Sequence, residues 1–198
     1  QADRIERGIH ALADDQIRDA FAIANRVMAI AARRRFGPMQ QKRPEDVAPP
    51  KWRPFQLAFV LMNLRAIADP SCGERQTVDL LFFPTGGGKT EAYLGLAAFT
   101  LVMRRLRHDG GPQSGGMSVL MRYTLRLLTL DQLGRASTLI CALELERQKQ
   151  PAKLGNWPFE IGLWVGKSGT PNKMGNTKDQ DESTARIRVR KYDGTGPK

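Results

Sequence analysis

The sequence is poor in the residues that build disulfides and metal sites. Its 198 residues include two cysteines, Cys72 and Cys141, and two histidines. The cysteines form no Cys-x-x-Cys pair and no histidine-containing ligand set, so the pattern predicts neither a disulfide framework nor a zinc site. A reducing, cytoplasmic setting is the simplest interpretation.

Long apolar runs and a secretory leader are also missing. The longest apolar stretches, such as Leu94–Met103, fall well short of the ~18 residues that a membrane span needs. The opening carries mixed charge without an apolar segment, so we expect neither a membrane partner nor a signal peptide. A chain that begins with Gln1 rather than Met is expected to be cut from something larger.

Acidic residues are scarce relative to basic ones. Lys and Arg number 31 against 20 Asp and Glu, which gives a formal charge of +11. Such an excess favours a polyanionic partner, because cations that neutralise phosphates release condensed counterions. A solubility surface, or a face that meets an acidic partner domain, stays open, because charge alone does not separate nucleic acid from an acidic protein.

The chain divides into four predicted segments. Apolar residues at steps of three and four predict an amphipathic helix from Asp15 to Arg35, which the following glycine and proline are expected to stop. The segments are an N-terminal helical segment (1–36), a proline-rich linker (37–54), an α/β domain (55–166) and a basic loop or tail (167–198).

Three short apolar segments within 55–166 are predicted to be buried strands of a parallel sheet. They are Val78–Phe83, Met117–Arg122 and Phe159–Val165. Helical patterns lie between them, from Lys89 onward and again from Leu130 to Lys149. Alternation of strand and helix is typical of right-handed crossovers and a parallel sheet. The predicted fold is therefore α/β, a partial parallel sheet flanked by helices, with an N-terminal helical extension.

A glycine run, Gly86–Gly88, lies between the first predicted strand and a strong helix pattern. Glycines let the backbone curl so that several N–H groups converge on one phosphate. Lys89 would then reach the β- and γ-phosphates of ATP, and the Thr90 hydroxyl would supply one ligand to Mg²⁺. A glycine-rich turn with an exposed lysine is the structural alternative.

A second Gly-Lys-Ser copy occurs at Gly166–Ser168. The residues after it, Gly169–Pro171, do not begin a helix, whereas a phosphate cradle needs the unpaired amides of a helix start. The second copy is therefore predicted to be a loop. The first copy departs from the usual motif at its first position, where Phe83 replaces Gly or Ala.

The stretch PTGGGKTE, Pro84–Glu91, resembles motif I of the superfamily-two helicases and translocases. Upstream, RPFQ resembles their Arg-x-x-Gln motif, whose glutamine is implied to read the adenine edge; an ordinary helix start is the alternative. The resemblance implies a RecA-like P-loop domain with ATP and Mg²⁺ as cofactors. The implied nucleotide-binding residues are Arg53, Gln56, Thr85, Gly86, Gly87, Gly88, Lys89, Thr90 and Glu91, with Lys89 and Thr90 catalytic and Thr90 on the metal.

The stretch VLMRYTLRLLTLDQ occupies the place of motif Ia, which touches the phosphates of a single strand. Thr124 and Arg126 are the matching residues, and they are implied to bind DNA. The spacing from Arg126 to Gln132 is one residue longer than expected, so the register of this contact stays open.

A more specific resemblance than that to the superfamily is to the helicase-like subunit of the DISARM anti-phage system, over Phe55–Val165. The stretches that carry it are FQLAFVLMNL, PTGGGKTEAYLGLAAFTL, MRYTLRLLTLDQ and LICALE. The resemblance implies an ATP-driven helicase or translocase in anti-phage defence. Implied partners are DNA, single-stranded or with a single-stranded end, the remainder of the motor, and a DrmB-like subunit.

The hydrolytic parts of such a motor are missing from the sequence. Motors of this kind need an acidic motif at the end of an apolar strand and arginine fingers from a second RecA-like domain. The acidic stretch Asp179–Ser183 follows a polar loop and is predicted to be a solvated turn. We therefore expect an N-terminal portion of a larger ATP hydrolase, inactive alone. A P-loop switch or kinase and a non-catalytic, basic nucleic-acid-binding scaffold stay open as alternatives.

Overall fold

The computed structural model describes residues 1–84, 86–108, 111–122, 126–164, 173–176, 178 and 180–195, with the backbone alone for 126–130 and 192–195. The chain falls into two units, Gln1–Ile161 and Gly162–Lys198. Over the described ranges, no helix combines the length and the apolarity that a membrane crossing requires.

The regular structure of the described residues is helical throughout. The first unit contains α1 (Ala2–Ala11), α2 (Asp15–Met39), α3 (Pro54–Ala68), α4 (Lys89–Arg107), α5 (Arg126–Lys149) and α6 (Pro151–Leu154), and the second contains α7 (Ala185–Thr195). Short 3-10 turns lie at Pro44–Asp46, Gly73–Gln76 and Pro112–Ser114. The α7 helix lies within the tail that was predicted to be mostly loop.

The predicted α/β fold with a parallel sheet is wrong, because the residues that the structure describes contain no strand. The segment 78–83 shows why the apolar pattern misled. Its alternate side chains Val78, Leu80 and Phe82 are 94%, 87% and 90% exposed. An apolar run indicates a strand only if a neighbouring strand takes up its backbone bonds and covers its side chains. In the described structure this segment has no such neighbour.

The first unit is built around α4, which packs against α2, α3 and α5. Phe99 and Val102 on α4 are fully buried, as are Val27 on α2 and Leu143 on α5. Small residues such as Ala98 let the helices approach closely, and the result is one apolar core shared by these four helices, to which Leu154 of α6 also contributes. The beginning of α4 is therefore held in place by three neighbouring helices.

Helix α2 begins at Asp15, as the sequence predicts, and ends later than expected. The carboxylate of Asp14 accepts a hydrogen bond of 3.0 Å from the N–H of Ile17, which satisfies one unpaired donor of the first turn. The helix continues through Gly37 and Pro38 to Met39. Arg35 consequently lies within a regular helix rather than at its end.

The proline-rich stretch 37–54 is anchored to the helices through Trp52. Its indole Nε1 donates to Oδ1 of Asn25 on α2 at 2.6 Å. The ring also lies against Gly95 on α4, where a Cβ would come within 2.7 Å of the Trp52 Cη2 atom. This anchor delivers the chain to Arg53, immediately before α3.

Helix α1 approaches α3 at a position that has no room for a side chain. A Cβ on Gly8 would lie 1.8 Å from the carbonyl oxygen of Leu61. We expect Gly8→Ala to lower the free energy of unfolding by about 1–3 kcal/mol, because the backbones must separate. Gly134→Ala on α5 is the matched control: nothing lies within 4 Å of its Cβ, so we expect a gain of about 0.5–1 kcal/mol. Urea unfolding of both variants measures the two effects, and equal effects would contradict the packing described.

Glu144 on α5 is expected to make the free energy of unfolding of the first unit fall at acidic pH. Hydrogen bonds from Arg147, at 2.6 and 2.8 Å, lower the pKa of Glu144 from 4.5 to about 2, and the N–H of Phe159 adds a bond of 3.0 Å. A lowered carboxyl pKa gives stability that is complete above pH 4.5 and is lost as pH falls toward 2. We expect Glu144→Gln to flatten this acid-side slope in urea unfolding measured from pH 6 to pH 3. An unchanged slope would show that Glu144 does not contribute it.

Candidate functional site

A tight glycine turn leads from the segment 78–83 into α4. Gly86 and Gly88 have φ angles of +80° and +91°, in the left-handed region that side chains disfavour. The N–H of Gly87 donates to the carbonyl of Pro84 at 3.1 Å, which closes the turn. Gly88 is the N-cap of α4, so the loop ends at the positive end of a long helix.

Two side chains from the start of α3 hold the loop by its carbonyl groups. Arg53 Nη1 donates to the oxygen of Gly87 and Gln56 Nε2 to the oxygen of Gly88, each at 2.7 Å. Because the C=O and N–H of a trans peptide point in opposite directions, these bonds turn the N–H groups of Gly88 and Lys89 to the other side of the loop. The loop therefore offers donors on the side away from α3.

Gln56 is fixed at both ends of its amide. It is 4% exposed, and its Oε1 accepts from the N–H of Arg53 at 2.8 Å, while its Nε2 holds Gly88. This bond is the half of a capping box in which the third helical residue reaches back to the backbone of the cap residue. The same side chain thus begins α3 and positions the loop.

The loop is closed at its base by aromatic rings. Phe83 stacks on Phe55 of α3 with ring centroids 3.9 Å apart and an interplanar angle of 12°. A Cβ on Gly87 would lie 2.6 Å from Cδ1 of Phe83, so the ring leaves room for glycine only. Phe83, the departure from the usual motif, thus has a packing role in this structure.

Lys89 and Thr90 form the first two positions of α4. The ammonium of Lys89 donates back to the carbonyls of Phe83 and of Pro84, the latter at 3.3 Å. Its charge therefore lies over the loop rather than along the helix. Thr90 is half-buried in the same turn.

Glu91, the third residue of α4, contacts side chains from two further helices, α5 and α2. Its Oε1 accepts a hydrogen bond from Nη2 of Arg135 on α5 and lies 3.9 Å from Nη1 of Arg35 on α2. Its Oε2 lies 3.4 Å from the position that a Cβ on Gly88 would take. The carboxylate is therefore directly beside the N-cap of α4.

Most of the predicted nucleotide contacts meet at this place. The residues that the structure brings together are Arg53, Gln56, Gly86, Gly87, Gly88, Lys89, Thr90 and Glu91. Thr85 and Thr124 lie outside the described residues, as does the second Gly-Lys-Ser copy. Arg126 is the first residue of α5. Sequence reasoning missed Arg35 and Arg135, because nothing in their local sequence separates them from other helical arginines.

The acidic stretch of the second unit contains a turn held by its own side chains. Oδ1 of Asp181 accepts from the N–H of Ser183 at 2.9 Å and from its hydroxyl at 2.6 Å. The bond from the Ser183 hydroxyl holds the pKa of Asp181 below its usual value. Asp179 lies outside the described residues.

The loop and the start of α4 define a site of the kind that attracts phosphate groups, with converging amides, a helix dipole and several cations. The chain is similar to the DISARM protein DrmA of Bacillus paralicheniformis, with 42% identity over 202 residues. The match covers 95% of this chain and spans 18% of the length of that relative. No family model and no solved structure matches the chain. The similarity supports a DISARM-related family, and the wider likeness to superfamily-two helicases stays a prediction.

Proposed function

We propose that this chain is the ATP-binding part of a DISARM protein that acts on DNA in anti-phage defence. The observation that supports the nucleotide site best is the loop held by its carbonyls. Arg53 and Gln56 take up the oxygens of Gly87 and Gly88, and the amides on the opposite side stay available for an anion. The similarity to a DISARM protein supports the role in defence.

The residues of the loop fit the phosphates of a nucleotide. A Cβ on Gly88 would lie 2.6 Å from Gln56 Nε2, so glycine at this position lets the loop pack directly against the α3 side chain that holds its carbonyl. Lys89 would exchange the loop carbonyls for the β- and γ-phosphates, and the Thr90 hydroxyl would supply a ligand to Mg²⁺. Bound Mg²⁺ would neutralise the phosphate charge.

We also propose that Gln56 recognises adenine, which requires a change in its present hydrogen bonds. Both ends of the Gln56 amide are bonded within the protein, to Arg53 and to Gly88. A contact with adenine would require Gln56 to share or exchange one of these bonds. Such an exchange would connect the presence of the base to the conformation of the loop.

For the whole protein rather than this chain alone, we propose that ATP hydrolysis is coupled to movement along DNA. Thr124 and Arg126 would contact phosphates of the DNA backbone. The net charge of +11 supports a polyanionic partner. A DrmB-like subunit and the remainder of the motor are the proposed protein partners.

The role of Lys89 is testable in the full-length protein. Because the ammonium–phosphate bond is charge-assisted, we expect Lys89→Ala to weaken binding of Mg²⁺-ATP about tenfold or more and to abolish DNA-stimulated hydrolysis. Salt-dependent DNA binding should persist. Titration with a fluorescent ATP analogue, a phosphate-release assay and DNA anisotropy measure the three quantities.

Lys51→Ala is the matched control, because Lys51 is an exposed lysine of the same linker that leads to Arg53. Unchanged ATP affinity in Lys89→Ala would remove Lys89 from the site. Tight DNA binding with no nucleotide affinity in the unaltered protein would select the basic scaffold instead.

A further inference from the structure

Two arginines from different helices meet on one oxygen of Glu91. Arg135 on α5 donates to Oε1 through Nη2, and Nη1 of Arg35 on α2 lies 3.9 Å from the same atom. The Arg135 side chain is 14% exposed and the Arg35 side chain is 35% exposed. These three residues are called the Glu91 cluster below.

The two guanidinium groups of the Glu91 cluster carry more N–H donors than the Glu91 carboxylate accepts. The Nε of Arg135 is buried and has no hydrogen-bond partner among the described groups. A guanidinium carries five N–H donors in a planar fork, and phosphate offers several oxygens that match this fork. Buried donors without partners are uncommon in proteins. The cluster can therefore accept a further anionic group.

The Glu91 carboxylate lies at the start of α4, where the proposed phosphate site begins. Its Oε2 lies 3.4 Å from where a Cβ on Gly88 would be, at the N-cap of α4. A carboxylate at a helix start is stabilised by the same dipole and amides that would hold a phosphate. Glu91 and a bound phosphate would thus be attracted to the same end of α4 and would compete for the same two arginines.

We propose that Arg35 and Arg135 are additional phosphate ligands of the nucleotide site, and that Glu91 is an internal anion with which the nucleotide competes for them. This inference rests on the proposed function of the loop. On binding, Arg135 exchanges the Glu91 carboxylate for a phosphate oxygen and keeps a charge-assisted bond. The exchange also links α5 to the nucleotide, because Arg135 lies on α5.

The competition has a signature that a purely structural ion pair lacks. If Arg135 and Glu91 only stabilised the helices, Arg135→Gln and Glu91→Gln would both weaken nucleotide binding, and if Arg135 acted only through its charge, Arg135→Lys would bind nucleotide like the unaltered protein. If they compete with phosphate, the two variants change affinity in opposite directions. We expect Arg135→Gln to weaken Mg²⁺-ATP binding about tenfold and Glu91→Gln to strengthen it a few-fold. Arg35→Gln should weaken Mg²⁺-ATP binding less than Arg135→Gln, because Arg35 lies farther from Oε1 of Glu91 and its side chain is more exposed than that of Arg135.

The experiment uses the full-length protein, Mg²⁺ and a fluorescent ATP analogue, with labelled single-stranded DNA titrated in parallel. Arg34→Gln is the matched control, because it removes an equal charge from an exposed neighbour on α2 and should leave ATP affinity unchanged. Arg135→Lys keeps the charge and loses the fork, so an intermediate affinity is expected. Circular dichroism and urea unfolding confirm that each variant is folded.

Three results would overturn the inference while the unaltered protein still binds ATP. They are a loss of affinity in both Glu91→Gln and Arg135→Gln, unchanged affinity in both, and a loss confined to DNA binding. Absence of ATP binding by the unaltered protein would instead refute the proposed function. The two failures are therefore distinguishable.

Discussion

The bonds from α3 to the carbonyls of Gly87 and Gly88 determine what the start of α4 can do. A glycine-rich loop alone has many conformations, and its amides would point in many directions. Arg53 and Gln56, at 2.7 Å from the two oxygens, select one orientation of each peptide plane. The opposite N–H groups are then presented together, which is the orientation that the proposed phosphate site requires.

The packing of the first unit gives this orientation its rigidity. Helix α4 is the centre of the core, with Phe99 and Val102 fully buried between α2, α3 and α5. The same neighbours bring the charged groups: α3 supplies Arg53 and Gln56, α2 supplies Arg35 and α5 supplies Arg135. A change in any of these helices would therefore reach the loop through a named hydrogen bond or ion pair.

Local features were predictable from the sequence, whereas those that depend on distant contacts were not. The start of α2 at Asp15, the helix from Lys89 and the glycine turn follow from short-range rules. The predicted sheet is wrong because Val78 and Phe82 have the apolarity of a buried strand, yet they are exposed and no strand lies beside them in the part of the chain that the structure describes. The pairing of Glu91 with Arg135 joins residues 44 positions apart, and only tertiary packing shows it.

The most direct test of this account is hydrogen exchange of the amides at the start of α4, followed by NMR or mass spectrometry with and without Mg²⁺-ATP. We expect nucleotide to slow exchange at Gly88 and Lys89, and Gln56→Leu, which frees the Gly88 carbonyl, to reduce this protection. Nucleotide binding that leaves these amides unprotected, or protection unaffected by Gln56→Leu, would contradict it.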